Sequence, residues 1–218
     1  MKILIMVLAI KDNSIYDNLV KSIRETWGSE IVYNIKTLFY YGNDGNDETL
    51  LIGDEIFTRS EEGLYNLGYK VIDALEYILD NFEFDYIFKM NCSSYLNKRM
   101  LKDLLTDKPS FGFYSGVIGI HDSIPFVSGS GSMLSRDVVK IIVDNKEDWD
   151  HSYIEDVSIG KLLTEIGIDI LPANRVDIIH GVDVDLMNIK NHHYRCKNSN
   201  RELDVFIMNE LYKIHKNK

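Results

Sequence analysis

The chain has 218 residues, of which 45% are hydrophobic, and its formal net charge at pH 7 is -10. This length and apolar content are enough to bury the core of one globular domain. Nucleic-acid binding rests on neutralisation of phosphates by Lys and Arg, so the acidic balance argues against nucleic acid as the main partner.

The charge is unevenly distributed along the chain. Residues 186–218 hold seven Lys and Arg against three Asp and Glu, a local charge of +4 that leaves -14 for the rest. A basic carboxyl-terminal segment on an acidic body can meet an anionic ligand locally.

The first apolar run, "MKILIMVLAIKDN" at 1–13, is too short to cross a membrane, and no small-residue cleavage site follows it. We therefore expect a first buried strand and no membrane span. Cys92 and Cys196 are the two cysteines, so no disulfide framework is indicated and a reducing compartment is expected. A soluble, cytoplasmic protein is the resulting expectation.

Apolar runs and helical stripes alternate along the chain. The apolar runs barely alternate with polar residues, which is typical of strands buried on both faces. The helical patterns show apolar residues every three or four positions, and Asn97 and Ser135 are predicted N-caps. Strands are predicted at 3–9, 35–41, 84–90, 113–119 and 168–171, and helices at 14–26, 61–82, 97–106, 136–145, 153–165 and 201–215.

This alternation predicts an α/β fold, with a largely parallel central sheet flanked by helices, in one domain over residues 1–218. No internal repeat, proline-rich linker or low-complexity run divides the chain. In such folds ligands bind at the carboxyl ends of strands. The stretch "FDYIFKMNCSSYLN" at 84–97 places a polar cluster at such an end.

Four stretches of the chain carry a further signal, and they are "SIRETWG" (22–28), "YNLGYKVIDALEYI" (65–78), "FVSGSGSMLSRDVV" (126–139) and "IEDVSIG" (154–160). In this order they resemble the Fringe-like and β-1,3-galactosyltransferase family of glycosyltransferases. The resemblance covers roughly residues 20 to 160. It implies a GT-A fold with a mixed, largely parallel sheet, a nucleotide-diphosphate sugar donor such as a UDP-hexose, a glycan acceptor and inversion at the anomeric carbon.

The same resemblance implies the catalytic residues. The "EDV" acids carry the general base in the family, so Asp156 is the first choice and Glu155 the second. An inverting transfer needs a carboxylate that takes the proton of the acceptor hydroxyl. The alternative is that both acids only begin a helix, where they suit the helix dipole.

The metal motif of the family is replaced. Aligned on Lys89, the family's Asp-x-Asp position, which holds Mn²⁺ or Mg²⁺ against the donor diphosphate, is occupied by Asn91, Cys92 and Ser93. Hard divalent cations prefer anionic oxygen ligands, so we expect no metal cofactor to be required. The alternative is Mn²⁺ or Mg²⁺ with His180 or His192 as a ligand.

A basic segment, "NHHYRCKNSNRELD" at 191–204, offers a substitute for the metal. In an extended chain its alternate residues His193, Arg195 and Lys197 face one side. Guanidinium and imidazolium groups bind phosphate oxygens, so we expect these three side chains to hold the donor diphosphate.

Further donor contacts are expected from Asn91, Ser93 and Ser94, whose alternative role is to cap the helix near Asn97. The resemblance adds Arg24 and Lys70 to the donor site. Gly129, Ser130 and Gly131 would let the backbone approach the sugar or acceptor, and the alternative is a turn between two short strands.

Two other functions remain open from the sequence. A non-catalytic module that binds a glycan or nucleotide sugar would explain the missing metal acids, whereas the "EDV" stretch favours an enzyme. A nucleotidyltransferase on a similar sheet would normally need a metal held by carboxylates. The absence of an amino-terminal membrane anchor leads us to expect a cytoplasmic enzyme, bacterial or viral, that builds a surface polysaccharide or glycan.

Overall fold

A mixed sheet of eight strands forms the centre of the protein. The computed structural model describes residues 1–42, 47–179 and 190–216. The strands of this sheet are β1 (Ile3–Leu8), β2 (Ile35–Tyr41), β3 (Leu50–Ile52), β4 (Glu55–Phe57), β5 (Tyr86–Asn91), β7 (Tyr114–His121), β8 (Ile124–Ser135) and β9 (Ile170–Pro172). They lie side by side in the order β3-β4-β2-β1-β5-β8-β7-β9.

The middle of the sheet is parallel, because β1 pairs in parallel with β2 on one side and β5 on the other. The strand β8 then runs antiparallel between β5 and β7, while β7 and β9 are parallel. The predicted α/β class with a mixed, largely parallel sheet is confirmed. The predicted strands at 3–9, 35–41, 84–90, 113–119 and 168–171 all correspond to strands of this sheet, with ends shifted by one to two residues.

Among the described residues, six α-helices cover the two faces of the sheet. They are α1 (Ser14–Glu25), α2 (Leu67–Asn81), α3 (Lys98–Leu105), α4 (Arg136–Asp144), α5 (Glu155–Ile166) and α6 (Arg201–Lys216). One core contains apolar side chains of α1, α3 and α6, and the other contains those of α2, α4 and α5. Alternate residues of β1 enter the two cores, which explains why its sequence shows no polar face.

A second, small sheet lies in the core beside α6. It consists of β10 (Val176–Ile178), β11 (His193–Cys196) and β6 (Ser94–Leu96), with β11 in the middle. Because β6 begins three residues after the end of β5, the polar turn at 91–94 connects the two sheets. This connection brings the basic strand β11 close to the carboxyl end of β5.

Three local predictions need correction or refinement. The helix predicted at 61–82 begins at Leu67, because Gly63 has φ 151° and residues 64–66 form one turn of 3-10 helix. Asn97 caps α3 by accepting a hydrogen bond from the amide of Met100 at 3.0 Å. Ser135 precedes α4, but its hydroxyl donates to Asp137 and caps no helix amide.

Within the three described ranges, no helix combines the length and apolarity that a bilayer crossing requires.

The glycine that ends the "EDVSIG" stretch determines how closely α5 approaches β8. A Cβ added at Gly160 would lie 2.5 Å from both the carbonyl oxygen of Pro125 and the Cβ of Phe126. Such distances are too short for carbon atoms, so the helix would have to move away from the strand.

We therefore expect Gly160→Ala to lower the free energy of unfolding by about 1–3 kcal/mol, through overpacking. This is opposite in sign to the usual effect in helices, where Ala is favoured over Gly by about 1 kcal/mol. Urea unfolding is the measurement, with Thr164→Ala at an exposed position of α5 as control. A Gly160→Ala protein as stable as the control variant would show that α5 does not rest on β8 through this glycine.

Candidate functional site

A cavity of about 1050 Å³ opens where the central parallel strands end. Leu8 and Asn91, which are register partners at the ends of β1 and β5, lie in its wall. This is the edge at which ligands bind in open α/β sheets. The described residues that line it are Leu8, Ile10, Tyr16, Glu62, Gly63, Leu64, Leu67, Asn91, Cys92, Ser93, Ile179, Arg195, Lys197, Asn198, Ser199 and Arg201.

One part of the cavity wall is basic. Arg195 on β11, Lys197 just after it and Arg201 at the start of α6 all line the cavity. Lys197 is exposed, and Arg201 forms an ion pair with the buried Asp204 at 2.8 Å. These three cations come from one short segment, so a ligand with several anionic oxygens can meet them together.

Arg195 is available for such a ligand. Across residues 1–42, 47–179 and 190–216 its side chain makes no ion pair, and its buried Nε lacks a hydrogen-bond partner. Burial and the neighbouring Arg175 lower the pKa of Arg195. Asp177 and Asp156 oppose this shift, so both carboxylates lie within electrostatic reach of the guanidinium, although Asp156 is not among the residues that line the cavity.

The two acids that begin α5 have different surroundings. The Glu155 carboxylate is buried and forms an ion pair with Lys89 of β5 at 3.1 Å. Asp156 is half-buried, and its carboxylate accepts hydrogen bonds from the amides of Gly129 at 2.8 Å and Val157 at 2.9 Å. Burial and the neighbouring Glu155 raise the pKa of Asp156. Asp156 therefore retains lone pairs for a ligand and has the greater proton affinity of a useful base.

Known proteins similar to this chain are glycosyltransferases. No family model matches the chain. The β-1,3-galactosyltransferase 5 of Pan paniscus is 24% identical over 182 residues, which are 67% of this chain and 60% of that protein. The chain thus spans less than two thirds of the length of this relative.

Two solved structures share its architecture. A glycosyltransferase involved in the glycosylation of the major capsid of PBCV-1 aligns with a TM-score of 0.58 and 12% identity, over 96% of this chain and all of that one. An active-site mutant of LgtC aligns with a TM-score of 0.51 and 12% identity, over 96% of each chain. The chain has the GT-A fold.

The polar turn at 91–94 does not provide ligands for a hard divalent cation in this GT-A structure. The side-chain oxygen of Asn91 accepts hydrogen bonds from the hydroxyls of Ser93 at 3.0 Å and Ser94 at 3.3 Å. Burial raises the pKa of the Cys92 thiol to about 12, so it is protonated. Within the described part of the chain, no group of three or more His, Cys, Asp and Glu side chains is placed to hold a metal. The turn does not fit a metal ion.

The predicted donor residues divide into two groups. Asn91, Ser93, Arg195 and Lys197 line the cavity, whereas the buried Ser94 meets Asn91 beneath it. The second group, which consists of His193, Arg24 and Lys70, lies away from the cavity wall.

His193 is placed differently from the expectation. Its ring is buried at 2% exposure in edge contact with Phe88, and burial together with His192 lowers its pKa well below the usual value. His193 lies close enough to Arg195 for that charge to contribute to the lowered pKa, but a neutral interior imidazole is not a cationic phosphate ligand, and the ring does not line the cavity with Arg195 and Lys197. The reason is that the ring occupies the space left by Gly131, where a Cβ would overlap it.

Arg24 and Lys70 do not reach the cavity directly. Arg24 binds Asp54 at 2.6 Å and Glu55 at 2.9 Å, and does not line the cavity. Lys70 is fully buried, and its ammonium group donates to the carbonyl oxygen of Ala9 at 2.8 Å and to Glu62 at 2.5 Å.

Gly129, Ser130 and Gly131 lie inside the long strand β8 and not in a turn between two strands. A Cβ at Gly129 would lie 2.8 Å from Glu155 Oε1, and the buried Ser130 hydroxyl accepts from Arg175 at 2.5 Å. Gly129 therefore lets the acids of α5 approach the strand, and none of the three residues lines the cavity.

The histidines considered as metal ligands are not brought together. His192 lines a different cavity, of about 750 Å³, near Lys190 and Asn191. His180 lies outside the described residues.

Sequence reasoning missed three site residues. Arg201 lies in the same basic segment as Arg195 but beyond the extended strand β11, at the first residue of α6. Arg175 has a buried side chain and binds Ser128, Ser130 and Asp177, a role that no motif indicated. Glu62 lay in a predicted helix and is in fact in the loop that lines the cavity.

The burial of His192 makes stability depend on pH. Burial lowers its pKa to about 4 from an unfolded value of about 6.5, so between these pH values the unfolded chain binds the additional proton. The contribution of neutral His192 to stability is therefore present at pH 7 and is lost as the pH falls toward 4.

We expect His192→Phe to remove about 2 kcal/mol of the decrease in unfolding free energy between pH 7 and pH 5. Denaturant unfolding at both pH values measures it, with His121→Phe at an exposed position as control. Wild type and His192→Phe losing equal stability over this interval would contradict a buried, neutral His192.

Proposed function

We propose that the protein is a glycosyltransferase that moves a sugar from a nucleotide-diphosphate donor to a hydroxyl group of a glycan. The observation that carries the proposal is a cavity at the carboxyl edge of a GT-A sheet, with three cationic side chains in its wall and a half-buried carboxylate within electrostatic reach. The cations match a diphosphate, and the carboxylate matches a base.

Asp156 acts as the base of an inverting transfer. The acceptor hydroxyl oxygen forms a bond to the anomeric carbon from the face opposite the leaving group, and its proton passes to Asp156. The bond from the anomeric carbon to the diphosphate oxygen breaks, and the electron pair leaves with the nucleoside diphosphate. The raised pKa of Asp156 supports this role, because a base is most effective when its pKa approaches the working pH.

Glu155 has a positioning role in this scheme. Its ion pair with Lys89 holds the first turn of α5 against β5, so the adjacent Asp156 is fixed relative to a strand whose last residue, Asn91, lines the cavity. The negative charge of Glu155 also contributes to the raised pKa of Asp156.

The diphosphate is stabilised by the protein itself. Arg195, Lys197 and Arg201 bind its oxygens and offset the charge that develops on the leaving group. We propose that no metal ion is required. The turn at 91–94 supports this, because it offers no carboxylate and the side-chain oxygen of Asn91 already accepts hydrogen bonds from the hydroxyls of Ser93 and Ser94. The donor is a UDP-hexose and the enzyme is Fringe-like; the four sequence stretches and the galactosyltransferase relative favour both.

The first test is Asp156→Asn, which keeps the size of the side chain but removes the base; its one carbonyl oxygen can accept from only one of the two amides that bind Asp156. We expect kcat to fall by about 10²–10⁴-fold, while UDP binding changes less than about twofold. In the wild type, kcat/KM should fall as the pH drops through a value above the ordinary aspartate pKa, because protonated Asp156 accepts no proton.

Sugar transfer from UDP-galactose and UDP-glucose measures this, and Asp144→Asn, an exposed residue of α4, is the control. Full activity of Asp156→Asn would remove Asp156 from the mechanism. Tight UDP binding without any transfer by the wild type would instead support the non-catalytic binding module.

The second test is Arg195→Ala, which we expect to weaken UDP binding by about ten- to a hundredfold, since a charge-assisted hydrogen bond is lost. Arg195→Lys should recover part of this loss, because it restores the charge without the planar fork. The measurement is calorimetric titration with UDP, with and without EDTA, and Lys213→Ala is an exposed control in α6.

Wild-type affinity in Arg195→Ala would show that the diphosphate binds elsewhere. A large loss of UDP affinity in EDTA would overturn the metal-free site while leaving donor binding in place.

A further inference from the structure

Glu62 introduces a carboxylate into the cavity that also carries the three cationic side chains. It is the single acidic residue among the described residues that line the cavity, and it comes from the loop before α2. The cations come from β11 and the start of α6, at the other end of the chain. The cavity wall therefore carries charged groups of both signs.

The position of Glu62 is fixed by buried groups. Its Oε1 accepts hydrogen bonds from the ammonium group of Lys70 at 2.5 Å and from the amide of Gly42. Lys70 is itself fully buried and is held by the carbonyl oxygen of Ala9, at the end of β1. The carboxylate therefore has little rotational freedom.

Both of these hydrogen bonds go to the same carboxylate oxygen of Glu62, Oε1. Over the described ranges, Oε2 of Glu62 accepts no hydrogen bond, and 22% of the side chain is exposed. A residue that served only to neutralise Lys70 would have no need of a free oxygen in the cavity wall. The geometry leaves Oε2 as an acceptor for a ligand.

A carboxylate repels phosphate, so it does not contribute to holding the diphosphate. A carboxylate accepts hydrogen bonds strongly from hydroxyl groups, and the lone pairs of Oε2 can accept from one or two of them. The neutral, hydroxylated parts of a nucleotide sugar are its ribose and its hexose. A cavity wall with three cations and one carboxylate oxygen thus matches a donor that carries hydroxyl groups beside an anionic centre.

We propose that Glu62 is a specificity-determining residue that accepts hydrogen bonds from sugar hydroxyls of the donor, and that Lys70 is the residue that positions it. This inference rests on the proposed nucleotide-sugar function. A site that hydrogen-bonds a hydroxyl rejects the analogue without it, because the desolvated carboxylate is then left unpaired.

Wild-type protein provides the first arm of the test, by titration with UDP, 2′-deoxy-UDP, 3′-deoxy-UDP and UDP-galactose. If Glu62 binds the ribose, one deoxy nucleotide should bind about ten- to a hundredfold more weakly than UDP. If it binds the hexose, the three nucleotides should bind alike, and the effect should appear in UDP-galactose.

The second arm uses Glu62→Met combined with Lys70→Met, which removes the buried charge pair together and leaves no unpaired ion. We expect this protein to lose either the discrimination between UDP and its deoxy analogues or the extra affinity for UDP-galactose. Glu61→Gln, in the same loop but outside the cavity, is the matched control. Should the double variant not fold, Glu62→Gln keeps the size of the side chain and is interpreted in the same way.

The outcomes separate the two proposals. Failure of the wild type to bind UDP or UDP-galactose would overturn the nucleotide-sugar function. Normal binding of both by the wild type, with unchanged affinities and unchanged discrimination in the Glu62 variants, would overturn the role of Glu62 alone. Lys70→Met with wild-type discrimination would show that Lys70 does not position the carboxylate.

Discussion

The buried ion pair between Lys89 and Glu155 connects the two halves of the site. Lys89 lies two residues before the end of β5, where the cavity opens, and Glu155 is the first residue of α5. Both side chains are almost fully buried, so loss of either partner would leave an uncompensated charge in the interior, at a cost of about 3–5 kcal/mol. The pair therefore determines where the carboxylate of Asp156 lies relative to the cavity. The glycine at 129 allows this arrangement, because any larger residue would push the two acids of α5 away from β8.

Charge is separated in space as well as along the chain. The body of the protein is acidic, whereas the cavity wall carries Arg195, Lys197 and Arg201. An anionic ligand is repelled by the net charge of the protein and attracted by the three cations of the cavity wall, so its encounter with the cavity can be guided electrostatically. The buried Asp204 beneath Arg201 holds that guanidinium without occupying the cavity wall itself.

Sequence patterns predicted all of α1 to α6 and the strands β1, β2, β5, β7 and β9, but not the long strand β8 or the short strands β3, β4, β6, β10 and β11. Runs such as 3–9 and 35–41 are buried on both faces, so hydrophobicity alone reveals them, whereas β6, β10 and β11 have three or four residues and show no measurable period. The helix predicted at 61–82 begins too early, because the spacing of Leu64 fits the apolar stripe. In the structure Gly63 has a non-helical backbone conformation, and α2 begins after it, at Leu67.

In the site, the sequence predicts Arg195 and Lys197 because a cluster of basic residues is visible in the sequence. The interior position of His193 is not predictable in this way, because it depends on Gly131, which lies in β8 and is 62 residues away in the sequence. Glu62 is held by Lys70, eight residues away across a loop and a helix, and Arg175 binds Ser130, 45 residues away; no local pattern reports either contact.

The helix α6 contributes to both the core and the cavity. Its first residue, Arg201, lines the cavity, while Ile207, Met208 and Leu211 are buried in the core that α1 shares. A ligand held by Arg201 would favour the docked position of the whole helix, since its binding free energy adds to that of the buried apolar side chains. Occupancy of the cavity and protection of the helix from local unfolding are thereby thermodynamically linked. The last helix is thus a part of the protein whose order reports whether the cavity is filled.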